Sequence, residues 1–402
     1  MIDAVTLQRT GRALAGRSGA TAVWDLRVDT ADGDAAAARH VRHQTLMRAY
    51  QARYMLLPSE APAGSVIDHL NRHYDPEAMA GLEELRRGLE AELIAPLLIP
   101  ARAAVDDRPF GDWADALVAK LRAAPEVPLT EWLADHPQRE AHYRNFLLQS
   151  SADLLAEASA SALGVIGEFG APQSALFRIL IDEFGYGSHA KKHSVLFRAV
   201  MRDFGLPDEY NAGWPLFDTA ALELHNTIHF LFQNPRNFFL QIGFLLFAET
   251  AYQRSTRDHF RYLSRHHPDV DARYFGEHAH IDLHHTRMVI DEVAQPLVDQ
   301  YGAEAGREIM VGAEFTRQAF DRAGETLLAI GRAFDAAAEA GRAVYAAPDF
   351  TGFGPGVSPQ GAARLTAADG PIQIGGLGYV TDAAAFTGFP AGAWGRLSGA
   401  RV

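Results

Sequence analysis

Apolar positions recur at three- and four-residue intervals through most of the first 345 residues, and no stretch shows the strict alternation of a strand, so the chain is expected to be all-α. Residues 35–122 carry helical runs at 42–57 and 76–94, broken by Pro- and Gly-containing turns at 58–64 and 96–100. They suggest a helical accessory lobe spanning 1–140. After a short linker at 123–128, a long helix is predicted over 140–167. Gly170-Ala171-Pro172 ends it and starts the next, which Gly185-Tyr186-Gly187 breaks, with Ser188 as N-cap of its successor. A helix at 219–232 is closed by Asn234-Pro235, the next is apolar on most sides, and a further helix breaks at Gln295-Pro296. An Ala-rich amphipathic segment at 303–345 would close a bundle, making 141–345 the core. From 346 to 402 Gly and Pro interrupt every few residues and the helical period disappears, leaving an irregular tail that docks on the core or stays partly disordered.

Several helices place polar groups on the face that should point inward. In the run from Glu277 to His285, His278, Asp282 and His285 stand at relative positions 0, +4 and +7, within a sector of roughly 60°. Their stripe continues into Val289 and Val293, whereas the opposing stripe of Glu277, His280 and His284 continues into Arg287 and Asp291. The first set is the one expected to be buried. Two imidazoles and a carboxylate on an apolar face suit a first-row transition metal, and the alternative is a polar helix end with satisfied histidines.

Further inward candidates follow the same logic. Glu157 shares a face with Phe146, Leu154, Ala160 and Gly164, or sits at the wet edge of that stripe. Glu183 follows Leu176, Ile179 and Leu180, while its neighbour Asp182 is spaced to pair with Arg178 at the surface. His193 lies with Phe197 and Val200, as a core histidine or a ligand; Glu249 lies with Ile242, Leu245 and Leu246. His225 and His229, four residues apart, fit a substrate pocket or the core better than a metal. His40 and His43 fall among Arg39 and Arg42, which predicts a solvated face; His69 and His73 lie in the same lobe.

Composition narrows the chemistry. With 48% hydrophobic and 22% charged residues the chain is globular, and a net charge of −13 without a basic run argues against nucleic acid and for a small-molecule ligand. The absence of cysteine removes disulfides, thiolate metal sites, iron–sulfur clusters and cysteine nucleophiles, so any metal must use N and O donors. The most apolar run, 237–248, is far shorter than the roughly 20 residues of a membrane span, and no secretory signal is visible, so a soluble cytoplasmic protein is expected.

The inward groups are then Glu157, Glu183, His193, Glu249, His278, Asp282 and His285. Four carboxylates would balance two divalent cations with the imidazoles neutral. The ferritin-like dinuclear bundle needs a Glu-x-x-His pair on each of two helices, and the match here, Glu277 to His280, is on the wrong face. The order found instead is Glu157, then Glu183 with nine residues before His193, then Glu249, then His278-x-x-x-Asp282-x-x-His285. Together with Glu183-Phe-Gly-Tyr-Gly and His193-Ser-Val-Leu-Phe, it resembles the haem-oxygenase-like diiron oxidases and oxygenases, over about residues 143–328.

That resemblance implies a seven-helix bundle in which Glu157, Glu183, His193, His278, Asp282 and His285 hold two irons. Glu249 would be the additional carboxylate that some members carry on a mobile helix. The axial His of the haem-binding relatives is not identifiable, and the tail is too short for the cupin that some related N-oxygenases carry. The implied reaction is O2-dependent oxidation of a small amine or amino-acid-derived substrate in specialised metabolism, as N-oxygenation through a peroxo-diferric intermediate. O2 would be cosubstrate, and a reductase or chemical reductant the external electron donor. A homodimer contact is a candidate role for the N-terminal lobe. Desaturation or C–C cleavage of an amino or fatty acid uses the same metal set. A non-catalytic metal-storage or partner-binding helical protein is the alternative of another class.

Overall fold

The computed structural model describes residues 35–55, 66–68, 70–71, 74–210 and 217–340, with five short strands between 343 and 381; the expected turn at 58–64 and His69 and His73 lie outside the described residues. The described helices are α1 (Ala35–Gln51), α2 (Pro76–Leu89), α3 (Leu98–Ala104), α4 (Phe110–Ala123), α5 (Pro128–Leu133), α6 (Arg139–Leu154), α7 (Ser159–Gly164), α8 (Ala171–Glu183), α9 (His193–Asp203), α10 (Thr219–Phe232), α11 (Phe238–His266), α12 (Arg273–Met288), α13 (Gln295–Tyr301) and α14 (Ala303–Glu339). Among the described residues the protein is all-α apart from the short strands between 343 and 381. Ala343–Tyr345 pairs antiparallel with Tyr379–Thr381, which also pairs with Ile372–Ile374, so strand structure stands where a helix to 345 and an irregular tail were expected.

The 29-residue α11 is the centre of the bundle, with α14 and α12 packed along it. Its closest approach to α14 rests on two glycines. A Cβ on Gly243 would lie 2.0 Å from the Ile309 carbonyl oxygen, and one on Gly312 2.1 Å from that of Leu240, so the two backbones meet with no side chain between them. α10 is clasped between α14 and α1. Leu46, Tyr50, Leu85 and Leu89 of the first helices enter the same apolar cluster as Ile242, Leu246, Val289 and Phe315. A second cluster gathers Leu133, Tyr143, Leu147, Phe197, Tyr274 and Phe334.

Two proline positions behave alike. Pro96 and Pro296 lack an N–H and crowd the carbonyl four residues back. At each, the chain does not stop; it widens into a π turn just upstream, at Glu90–Ile94 and Val289–Ala294, and continues as helix. The breaks expected at 96–100 and 295–296 are therefore bridged.

His40 and His43 correct the expectation of a solvated face. Both are fully buried. On α1 the spacing His40, His43, Met47, Tyr50 forms one stripe that continues into apolar residues, and this is the face laid on α10, where His40 Nδ1 is 2.9 Å from Thr219 Oγ1 and Asn226 Nδ2 donates to the His43 carbonyl at 2.9 Å. Arg39 reaches outward around the edge to Glu223, at 2.5 Å.

Candidate metal centre

The helix predicted over 140–167 is interrupted. α6 ends at Leu154, and α7 starts at Ser159 behind Ala158, whose φ of 64° is left-handed and costs a non-glycine residue about 1–2 kcal/mol. Glu157 thus sits in a tight turn whose geometry aims it, not on a continuous helical face. Its Oε1 accepts a 2.9 Å hydrogen bond from the buried Tyr274 hydroxyl.

A second left-handed turn sets the next two residues. Gly185, Tyr186 and Gly187 all have positive φ, and a Cβ on Gly185 would lie 2.4 Å from Lys192 N, so the chain folds tightly back on itself. The successor does not begin at Ser188 as expected: a short 3-10 turn, His189–Lys191, intervenes, and His193 is the first residue of α9. The fold-back places His193 Nδ1 2.7 Å from Glu183 Oε2 at the end of α8.

On α12 the inward face is the one expected: His278, Asp282 and His285 are buried, while His280 and His284 are exposed. The structure brings all seven candidates together in two groups, Glu157, Glu183, His193 and His278, and Glu183, Glu249, Asp282 and His285, the donor atoms of each lying within 4.8 Å of one another. Glu183 belongs to both. Its Oε2 faces His193, and its Oε1 is 3.6 Å from His285 Nδ1.

Hydrogen bonds outside the cluster settle which nitrogen two of the three imidazoles present. His278 Nδ1 is 2.9 Å from the Tyr274 carbonyl, which can only accept, so the Nε2 lone pair is turned inward, 3.2 Å from Glu157 Oε1 and 3.1 Å from His193 Nδ1. His285 Nε2 is 3.1 Å from Asp182 Oδ2, leaving Nδ1 to face Glu249 at 3.1 Å and Asp282 at 3.7 Å. Asp182 does not form the surface pair expected with Arg178, which turns instead to Glu292 on the π turn.

This donor set fits cations. Both oxygens of the buried Asp282 and Oε2 of Glu157 have no hydrogen-bond partner, a costly arrangement for carboxylates unless a positive charge sits between them. Burial disfavours charge on His278 and His285, yet the surrounding carboxylates outweigh it, lifting His278 well above the usual imidazole range and His285 to about 10. Burial also holds Asp282 well above the carboxylate range. Three carboxylates converging on a nitrogen that shows them a lone pair need a proton or a metal ion, and carboxylates with imidazoles suit iron or manganese.

A cavity opens beside the first group, lined by Asp153, Glu157, Glu183, Glu249, Tyr252 and His278 at its polar end and by apolar side chains such as Phe232 and Leu245 elsewhere. His225 and His229, the pocket candidates, are buried but do not line it. His229 stacks on Tyr50 at 5.2 Å and accepts from Gln233 Nε2 at 3.0 Å, whereas His225 lies behind Asp153. Sequence reasoning missed Asp153, Asp182, Tyr252 and Tyr274. Asp153 had a signal, since it stands four residues before Glu157.

A third convergence, His136, His142 and Asp335, is of another kind. His136 Nδ1 accepts the Gln138 N–H at 3.1 Å, so its Nε2 carries hydrogen and donates to Asp335 at 3.2 Å. It clamps α6 to α14 and offers no lone pair from that ring.

Comparison with known proteins agrees with this geometry. Residues 144–321 match the iron-containing redox enzymes, and the chain belongs to that family, with the all-α, haem-oxygenase-like fold expected from its sequence. It is 32% identical over 279 residues to the nitrosourea synthase of Streptomyces achromogenes subsp. streptozoticus, an alignment covering 67% of this chain. The chain spans 57% of that relative's length.

Proposed function

We propose that this protein is a two-iron oxygenase that uses O2 and external electrons to oxidise a small amine or amino-acid-derived substrate on nitrogen. The observation that carries this reading is Glu183, whose two oxygens face different donor groups, as one carboxylate between two ions would. Glu157, His193 and His278 would hold one iron and Glu249, Asp282 and His285 the other, with Glu183 between them. Two such ions supply reductive activation of O2 when bound.

The chain's own residues do the rest. Tyr274 and Asp182 fix the orientation of Glu157 and His285, and the apolar wall of Phe232, Phe244 and Leu245 keeps bulk water from the polar end of the cavity. A nitrosourea bears oxidised nitrogen, and the similarity to a nitrosourea synthase favours nitrogen over carbon as the atom oxidised here.

The test is to supply iron(II), a reductant and 18O2 with a panel of amines and amino acids and to follow product mass. One labelled oxygen on nitrogen, with no slowing when the substrate's carbons carry deuterium, is the expected result. A product that has lost two hydrogens or a carbon fragment without gaining oxygen would replace this reading with desaturation or cleavage, and iron uptake without O2 consumption would replace it with storage.

A further inference from the structure

The cavity beside the metal centre contains one carboxylate that neither donor group uses. Asp153 stands four residues before Glu157, near the end of α6, and lines the cavity, with 28% of its side chain exposed. Among the described residues no Lys or Arg pairs with it; the basic group in ion-pair range is His225, whose Nδ1 is 4.0 Å from Asp153 Oδ1.

His225 is itself unusual. It is 1% exposed, its ring makes only a poorly aligned contact to the Ala152 carbonyl besides facing Asp153, and burial pushes it down to about 3, so it is a neutral ring. A buried imidazole so weakly partnered costs about 1–3 kcal/mol for a group left unpaired, and here it stands directly behind a cavity carboxylate. Tyr252 lines the same cavity, and Tyr252, Tyr54 and Tyr210 lie near enough for the charge on Asp153 to help raise each of them, after burial. Among the described residues the arginine on that side, Arg48, faces Tyr210 and forms no ion pair with Asp153, and burial and the nearby Glu157 push the Asp153 carboxyl up to about 7.

We propose that Asp153, backed by His225, is the substrate anchor of this cavity, binding a cationic ammonium or guanidinium group and so selecting substrates that carry one. A cation there gives Asp153 the counter-charge that the protein withholds, while the apolar walls take the remainder of the molecule. Asp153 is four residues from Glu157, so an anchored molecule lies alongside the metal ligands. This assignment rests on the oxygenase reading for the chemistry that follows, but binding itself is measurable without it.

The experiment measures binding to the iron-loaded protein by thermal shift and calorimetry under anaerobic conditions, using pairs that differ in charge and little in shape: L-arginine with L-citrulline, and L-lysine with L-norleucine. At least one cationic member should bind at least tenfold more tightly than its neutral counterpart. Asp153→Asn should abolish that preference, and His225→Gln should weaken it, with two irons per chain retained in both. Asp153→Glu keeps the charge and serves as the second variant should Asp153→Asn not fold: it should preserve the preference for charge. Equal binding of both members of each pair, no binding of any cationic member, or unchanged preference in Asp153→Asn would overturn the proposal. Loss of iron in Asp153→Asn would assign Asp153 to the metals instead. A protein that takes two irons and consumes O2 but ignores charge refutes the anchor alone; one that prefers the cation but never oxidises nitrogen refutes the reaction alone.

Discussion

Asp182 and His285 form a hydrogen bond of 3.1 Å that dictates which nitrogen His285 turns toward Glu183, Glu249 and Asp282. Because the carboxylate holds the Nε2–H, the ring cannot flip or change tautomer without losing it. Asp182→Ala should therefore weaken the second iron about 10- to 100-fold and leave the first largely intact. Stepwise iron(II) titration, with circular dichroism to confirm folding, reads this directly. Unchanged binding of the second ion would show that His285 is held by packing alone.

Glu183 and Glu249 should differ in how much iron each controls. Glu183→Ala removes a donor from both groups and should lower iron to well under one per chain, whereas Glu249→Ala touches one group and should leave about one. On α12, His285→Ala should lose iron and the exposed His284→Ala should not. Metal analysis after gel filtration distinguishes these, and equal losses at positions 284 and 285 would mean the opposite face of α12 binds.

Much of this site was legible because helices announce their inner faces. On α12 two competing histidine sets were separated by the apolar residues that follow them, and Glu183 was told from Asp182 by phase alone. What could not be read was anything set by a turn or by a partner far away in sequence. Glu157 is aimed by a left-handed residue at Ala158, which has no sequence signature because alanine does not ask for that conformation. Asp182 finds His285 across 103 residues, while its expected partner Arg178 finds Glu292 on a π turn that the helical period does not foresee. His40 and His43 were misplaced by weighting the arginines beside them over the stripe running on to Met47 and Tyr50.

The glycines of α14 should respond oppositely to alanine. At Gly312 the added methyl would meet the Leu240 carbonyl and force α11 and α14 apart, at a cost of about 1–3 kcal/mol or more. Gly324, with nothing within 4 Å, should gain about 0.5–1 kcal/mol from the better helix former. Urea unfolding of the two variants compares them on one scale, and a neutral Gly312→Ala would mean the crossing is looser than described.

Stability should fall as pH drops from about 6.5 to 4. Burial pushes His40 and His142 down to about 4 and His43, His225 and His259 to about 3, and holds His229 well below its usual value. These groups take up protons in the unfolded chain before the folded one, so each removes up to about 1.4 kcal/mol per pH unit across that window. Burial raises Asp153 to about 7 and Asp218 to about 6, and Asp282 further, and these three act in the opposite direction. The six imidazoles prevail. His278 and His285, lifted by carboxylates, titrate above the window and do not contribute to its slope. Melting temperature measured from pH 7 to 4.5 should decline steadily, and a flat profile would contradict the burial of these rings.

The crossing of Gly243 and Gly312 would also serve as a fulcrum for any tilt of α11. Glu249 stands six residues beyond it on α11, about 9 Å along the axis. A tilt of about 6° around that pivot swings its carboxylate by about 1 Å, roughly the difference between a metal–oxygen bond near 2.1 Å and a hydrogen-bonding distance near 3 Å. A small rotation at the crossing would thus engage or release one carboxylate, which stands close to the pivot on the long arm of the helix, while the touching backbones stay in place.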